Sequence, residues 1–462
     1  MLDPVIPRDF TLGVATAAYQ IEGAVAEGGR GVSVWDTFCA EPGRVLGGDT
    51  GAVACDHYHR YEQDLDLVRE LGADAYRFSI AWPRIQPDGT GPADPDGVAF
   101  YDRLVDAMLA RGIEPVATLF HWDTPQALED AGGWLSRDTA ARFGEYAALM
   151  GARLGDRVGK WITINEPHSV TLAGYATGAH APGHTLLFDA LPAAHHQLLG
   201  HGLAVQALRA AGVTGQIGIT NVHTPVMPAS DRPEDQLAAA LYDLIANRVF
   251  EDPVLLGRYP QAPEPFTELF DAFGAVPAED LAVISSPLDF YGVNYYYPSR
   301  VGMADPDAAT DHTPEGDFAR VGELPFAFAE IEGVPRTGFG WPVSPSGLGD
   351  TLDELSGRYG DRLPPVYITE GGASFPDEVA PDGSVPDPQR VDYLREHLAV
   401  ALCKRADGLD LRGYFVWSLL DNFEWAAGYS QRFGLVHVDY PTQRRTPKES
   451  FHWLARRLRD RT

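Results

Sequence analysis

Trp161-Ile162-Thr163-Ile164-Asn165-Glu166-Pro167 is the stretch from which the fold is decided. Its first four residues have the aromatic and β-branched character of a short buried strand, and the strand runs straight into an Asn-Glu pair that a proline stops. A carboxylate at the end of a buried strand is poorly placed for stability and well placed for chemistry, although most glutamates simply reach solvent. A second stretch of the same design favours chemistry. Pro365-Val366-Tyr367-Ile368-Thr369-Glu370-Gly371-Gly372 is again a short apolar run ending in a glutamate, followed by glycines that let the backbone turn sharply and approach a ligand. The two glutamates are roughly 200 residues apart, so they meet only in a fold that brings many strand ends to one face.

Outward from these two strands the same unit recurs. Further strands are predicted at residues 10–18, 73–80, 114–120, 216–222, 288–295 and 413–417, and helical apolar spacing at 61–71, 98–111, 137–154, 191–211, 238–247, 347–359, 390–405 and 447–458. Residues 301–341 show no periodicity and many Pro, Gly and Asp, the mark of a long loop. Eight strands alternating with helices predict an α/β protein, a single (β/α)8 TIM barrel over residues 1–462 with loop insertions at its C-terminal face. An open doubly wound sheet is the competitor, and it is weakened because no Gly-x-Gly-x-x-Gly follows an early strand.

A hydrophobic content of 45% with 22% charged residues supports a sizeable core and argues against disorder. The net charge of -29 repels phosphate backbones and anionic lipid, so neither nucleic acid nor a membrane is an expected partner, whereas a neutral small molecule pays no such penalty. Cys39, Cys55 and Cys403 are odd in number and lack CxxC spacing; they suggest buried small hydrophobes, not a disulfide framework or a zinc site. The start of the chain has no basic segment followed by an apolar stretch, which predicts a cytoplasmic protein.

On a barrel the strand ends share one face, and here they carry Gln20, Arg77, His121-Trp122, Asn165-Glu166, Asn294 with Tyr296, Glu370, and Trp417 followed by Glu424-Trp425. Two carboxylates among neutral hydrogen-bonding groups and aromatic faces suit a polyhydroxylated ring, whose hydroxyls want donors and acceptors and whose C–H faces want flat apolar surfaces. Histidines elsewhere are read as structural. His57 and His59 stand two apart beside Asp56 and Asp64, and His195, His196 and His201 lack the i, i+4 spacing of a helical ligand pair, so no metal and no cofactor is implied.

The chain resembles a glycoside hydrolase of family one, a retaining β-glucosidase in particular. The likeness runs from Phe10 to about Trp453 and is carried by Ala15-Thr16-Ala17-Ala18-Tyr19-Gln20-Ile21-Glu22-Gly23, Tyr76-Arg77-Phe78-Ser79, Leu119-Phe120-His121-Trp122-Asp123, Thr163-Ile164-Asn165-Glu166-Pro167, Asn294-Tyr295-Tyr296, Ile368-Thr369-Glu370 and Trp417-Ser418-Leu419-Leu420-Asp421-Asn422-Phe423-Glu424-Trp425. Their joint order is highly specific. The resemblance implies Glu166 as acid/base and Glu370 as nucleophile, with Arg77, Asn294 and Tyr296 supporting them. It implies that Gln20, His121, Trp122, Asn165, Trp417, Glu424, Trp425 and Phe433 hold the sugar, with Trp341 as a wall for the leaving group. Two positions depart from the family. Gly371 stands where Asn usually follows the nucleophile, and His168 follows Pro167 where relatives vary, so the leaving-group side does not carry over.

The roles agree with elementary chemistry. Two carboxylates about 5 Å apart do not both ionise easily, so one stays protonated as the acid while Arg77 keeps the other charged. Hydrolysis of a β-glucoside or short β-linked oligosaccharide is therefore the expected activity. The alternatives are a 6-phospho-β-glycosidase and a sugar-binding relative without catalysis. The presence of both glutamates disfavours the latter, and the lack of Lys or Arg between Leu419 and Tyr429 disfavours the former. Preferred glycone and oligomeric state stay open.

Overall fold

The computed structural model describes residues 3–304 and 324–462. Eight strands, β1 (Thr11–Ala15), β2 (Ala75–Ser79), β3 (Glu114–Phe120), β4 (Lys160–Asn165), β5 (Gln216–His223), β6 (Phe290–Tyr295), β7 (Val366–Gly371) and β8 (Leu411–Trp417), pair in sequence order and close on themselves. Every pairing in the ring is parallel, including β1 with β8. This is the TIM barrel expected from the alternation, and parallel pairing requires the helical crossovers that separate the strands.

Each crossover helix is specified locally. Helix Pro95–Ala110 starts where the Asp94 carboxylate accepts from the amides of Asp96 and Gly97, with a proline in its first turn. Its buried residues include Phe100, Leu104, Val105 and Met108, each worth about 1.5–3 kcal/mol of transfer free energy when fully buried. Helix His57–Leu71 stops because Gly72 takes a left-handed conformation (φ 80°) from which its amide reaches the carbonyls of Val68 and Arg69.

Two cores result. A large one lies between barrel and helices. A second fills the barrel itself with Ala75, Val116, Ile162, Phe290, Tyr367 and Phe415, and reaches Trp417 and Phe433 at the C-terminal end of the strands. The barrel is thus plugged below and open above, where the candidate site lies.

Several expectations need correction. Residues 10–18 form a strand only over Thr11–Ala15, because Ala18–Ile21 turns into a short helix that carries Gln20. The loop expected at 301–341 is partly ordered: Ser299–Met303 pairs in parallel with Val226–Pro228 and antiparallel with Phe326–Phe328. Strands this short show no periodicity in sequence; the part of that loop at 305–323 lies outside the described residues. The hairpin of Val436–Asp439 and Arg444–Pro447 was not expected, and the closing helix is Glu449–Arg459. Cys39 and Cys55 are buried, but Cys403 is exposed. The histidines expected to be structural are held by protein partners: His57 Nδ1 lies 2.8 Å from Asp64, His201 Nδ1 2.7 Å from Thr163, His196 Nδ1 2.9 Å from the Trp134 carbonyl, and His195 contacts Tyr259 and Asp280.

Candidate active site

A cavity of about 640 Å³ opens above the C-terminal ends of the strands, a size suited to a small organic ligand. His121, Trp122, Glu166, Tyr296, Trp341, Glu370, Trp417, Glu424, Trp425 and Phe433 line it. The other four predicted residues, Gln20, Arg77, Asn165 and Asn294, lie directly behind and hydrogen-bond to lining groups. Both glutamate-bearing strands lose regular register just before the carboxylate, β4 between Ile162 and Asn165 and β7 between Ile368 and Glu370. Such irregularities re-aim side chains at barrel rims. Glu166, Trp122 and Trp425 also adopt positive φ (48°, 76° and 49°), which costs on the order of 1–3 kcal/mol each and persists only where surrounding structure enforces it.

Arg77 is the hub of the floor. Its Nη1 donates to Glu370 Oε1 at 2.6 Å and to the Thr369 carbonyl at 2.9 Å, its Nη2 to Asn165 Oδ1 at 2.6 Å, and its Nε to Thr118 Oγ1 at 3.1 Å. The second Glu370 oxygen accepts from the Tyr296 hydroxyl at 2.6 Å. Glu166 meets no cation among the described residues. Its Oε1 accepts from Asn294 Nδ2 at 2.6 Å and its Oε2 from Ser169 Oγ at 2.8 Å, while Asn294 Oδ1 is fixed by Thr369 Oγ1 at 2.8 Å. Burial pushes the Glu166 carboxyl up to about 8, and the charge of Glu370 adds to the effect. Burial also raises Glu370, but there Arg77 and the Tyr296 hydroxyl pull against it. The proton shared by the pair therefore rests on Glu166.

Around this pair the aromatic groups are layered. The His121 ring lies nearly parallel to Trp417 and to Trp425, with centroids 5.8 and 6.0 Å away, and Trp122 packs 4.5 Å from Trp425 while its Nε1 donates to the Asn165 carbonyl. Burial and Arg77 hold His121 well below its usual titration range, so it is neutral. Its Nε2 faces the Asn165 amide nitrogen at 3.1 Å and accepts from it, which places the proton on Nδ1, an atom with no partner among the described residues. Gln20 spends its Nε2 on Asn422, the Phe423 carbonyl and Glu424, leaving Oε1 buried and without a partner. One buried donor and one buried acceptor thus remain unpaired among the described residues, the acceptor on the side chain that bonds Glu424.

The two departures from the family have structural answers. A Cβ on Gly371 would fall on the Tyr414 hydroxyl and 2.9 Å from Tyr414 Cζ, so Tyr414 occupies the room of the missing side chain. His168 lines the cavity beside Ser169. Trp341 is both packed and lining: it stacks on Phe339 at 4.5 Å and tilts against Tyr297 at 4.8 Å. Sequence reasoning missed Thr118, Ser169 and Thr369, which hydrogen-bond to Arg77, Glu166 and Asn294 respectively. Thr369 adjoins Glu370 and was findable from that position; Ser169, three residues after Glu166, carried no signal of its own. His223, Phe339 and Tyr297 were also missed.

The sequence matches the family model "Glycosyl hydrolase family 1" over residues 3–461, and the chain belongs to that family. It is 47% identical to a β-glucosidase of Agrobacterium sp. over 450 residues, covering 97% of this chain and 94% of that one. It is 45% identical to a bifunctional β-D-glucosidase/β-D-fucosidase of Bifidobacterium breve, covering 99% and 98%. Among solved structures, the β-glucosidase of Thermotoga maritima in complex with glucoimidazole superposes with a TM-score of 0.90 at 42% identity, covering 99% of each chain.

Proposed function

We propose that this chain is a retaining β-glucosidase that releases terminal, non-reducing β-D-glucosyl residues from small glucosides and short β-linked oligosaccharides by double displacement. The observation that carries the assignment of roles is the unequal setting of the two carboxylates: Glu370 touches Arg77 and Tyr296, whereas Glu166 touches only neutral donors and is pushed up to about 8. In the first step Glu370 attacks the anomeric carbon, the glycosidic C–O bond breaks, and Glu166 gives its proton to the departing oxygen. Esterification removes the charge of Glu370, so the Glu166 carboxyl titrates lower and takes a proton from the water that then displaces Glu370. His121 Nδ1–H, Gln20 Oε1 and the Glu424 carboxylate supply the donor and acceptors for the glycone hydroxyls, and Trp417 supplies its apolar floor.

The bifunctional Bifidobacterium relative supports β-fucoside, and by the same reasoning β-galactoside, as side substrates, since these sugars differ from glucose at hydroxyls on the edge that Glu424 would read. Residues 1–462 act in this reading as one barrel unit, and the three unpaired cysteines are in keeping with a cytoplasmic setting.

A neutral sugar is favoured over its 6-phosphate. Arg432, the first basic residue after the Glu424 loop, is already bound to Asp421 at 2.7 Å and to the Val438 carbonyl at 3.1 Å, leaving the acidic Glu424 to meet the phosphate. Rates on a panel of 4-nitrophenyl β-glycosides test the reading. Cleavage of the glucoside and not of its 6-phosphate is expected, and a preference for the phosphorylated substrate would overturn it.

A further inference from the structure

Ser169 is bound to Glu166 twice over. The short turn Pro167–Ser169 returns the Ser169 amide to the Glu166 carbonyl at 3.0 Å, and the Ser169 hydroxyl donates to Glu166 Oε2 at 2.8 Å. Thr171 steadies the turn, its hydroxyl donating to the Pro167 carbonyl at 2.8 Å. Ser169 and Glu166 both line the cavity, and Ser169 is partly exposed. The other carboxyl oxygen has a different kind of partner. Asn294 Oδ1 accepts from Thr369 Oγ1 at 2.8 Å, which fixes the amide so that Nδ2 faces Glu166 Oε1 at 2.6 Å and Asn165 Oδ1 at 3.1 Å. An amide nitrogen only donates, whereas a hydroxyl donates or accepts by turning about its C–O bond. The protonated oxygen of a carboxylic acid is its weaker acceptor, so the short bond from Asn294 leaves the proton to Oε2, the oxygen beside Ser169.

We propose that Ser169 is a positioning residue that keeps the transferable proton of Glu166 on Oε2 and holds that oxygen in both of its protonation states. The assignment rests on the reading of Glu166 as acid/base given above. In the first step the Oε2–H bond breaks, the departing oxygen takes the proton together with the electron pair of the glycosidic bond, and Oε2 becomes anionic. Ser169 then donates a charge-assisted hydrogen bond to that same atom. In the second step the attacking water returns a proton to Oε2 as its oxygen displaces Glu370, and the hydroxyl of Ser169 is free to turn and accept. The charged groups that act on Glu166 are Glu370 on β7 and Arg77 on β2; burial keeps the Tyr296 phenol, just beyond β6, and the His168 ring, on the same turn as Ser169, neutral. Among the described residues Ser169 is the donor that reaches Oε2. Its loss therefore penalises the charged form of Glu166 more than the neutral one.

The test measures kcat/KM against pH for the wild type, Ser169→Ala and Ser169→Thr on two substrates: cellobiose, whose leaving oxygen needs a proton, and 2,4-dinitrophenyl β-D-glucoside, whose leaving oxygen does not. With cellobiose, Ser169→Ala is expected to move the basic limb to higher pH by about one unit, the value of a hydrogen bond to a charged acceptor. At pH 6 the same variant should lower the ratio of cellobiose to dinitrophenyl kcat/KM by roughly five- to tenfold, because the proton is no longer held on the oxygen that delivers it. Ser169→Thr, which keeps the hydroxyl, should leave the limb within about 0.3 unit of the wild type. An unmoved basic limb in Ser169→Ala overturns the proposal, as does an equal loss on both substrates, which is what a merely structural role would produce. A limb in Ser169→Thr displaced as far as in Ser169→Ala overturns it as well. If the wild type released glucose from neither substrate, or showed no basic limb with cellobiose, the reading of Glu166 itself would fall, which is a different failure.

Discussion

The floor and the rim of the cavity are built on different terms. On the floor, Arg77, Asn165, Asn294 and Thr369 come from four different barrel strands and interlock at 2.6 to 3.1 Å, each fixing its neighbour's rotamer. At the rim, Trp341, Phe339, His168 and Trp425 come from connections of unlike length, held by ring packing, and the ring nitrogens of His168 have no hydrogen-bond partner among the described residues. The contrast teaches where freedom lies. A strand end cannot shift without breaking the barrel ladder, so the floor is committed to one chemistry, whereas a rim residue changes without disturbing any hydrogen bond beneath it.

The largest effect that tests this contrast is removal of the carboxylates. Glu370→Ala should lower kcat on every substrate by roughly four powers of ten or more, whereas Glu166→Ala should still be glycosylated by substrates whose leaving group needs no proton. Added azide should yield the α-glucosyl azide from the first variant and the β-anomer from the second, read by NMR of the products. The β-product from both would defeat the division of roles.

Next in size is the hub. Arg77→Met leaves Glu370 buried without its cation, so a loss of about 10²–10³ in kcat is expected, together with a lower melting temperature because the partner of a buried ion pair is stranded. The acid limb of kcat/KM should move to higher pH, since Glu370 then takes up a proton more readily. A variant with unchanged acid limb would show that Arg77 positions the site without tuning it. Glu424→Ser, closer to the rim, should cost about 10- to 100-fold in kcat/KM on 4-nitrophenyl β-glucoside, the value of hydrogen bonds to a charged acceptor; a loss below threefold would remove Glu424 from glycone recognition.

The smallest effect concerns the coupling of the two carboxyls. Because Glu166 titrates at about 8 in the free enzyme, kcat/KM should fall as pH rises through that value and the acid loses its proton. Burial is the first cause of the shift and the Glu370 charge the second, so Glu370→Gln should lower the Glu166 titration by about one unit and not restore it to an ordinary carboxylate value. Carbon-13 NMR of labelled glutamate carboxyls measures this directly, and an unchanged titration would mean that burial acts alone.

Asn165 and Asn294 on the floor, and the two glutamates beside them, were legible in the sequence because each sits at or near the end of a strand whose apolar run announces it, as with Trp161 to Glu166 and Val366 to Glu370. The family resemblance then ordered those ends. What escaped was set by contacts between distant segments: Thr118 and Thr369 are ordinary strand threonines until Arg77 and Asn294 reach them, and Ser169 matters only because the turn after Glu166 returns its hydroxyl to that carboxylate. The small sheet of Ser299–Met303 with its two short partners escaped for another reason, since those two partners, of three residues each, leave no period to detect.

The pairing of Gly371 with Tyr414 has a historical meaning. Each of the two positions is readable only through the other: an asparagine cannot enter at 371 while the phenol of Tyr414 stands in its room, and a small residue at 414 would leave a void beside the strand that carries Glu370. Such a pair changes by a two-step path through an unfavourable intermediate, so among relatives the two positions should vary together. Laboratory evolution that samples one substitution at a time should find Gly371→Asn accepted only after Tyr414 has been shortened, and its acceptance in an otherwise unchanged chain, with melting temperature and kcat intact, would show that the ring has somewhere else to go.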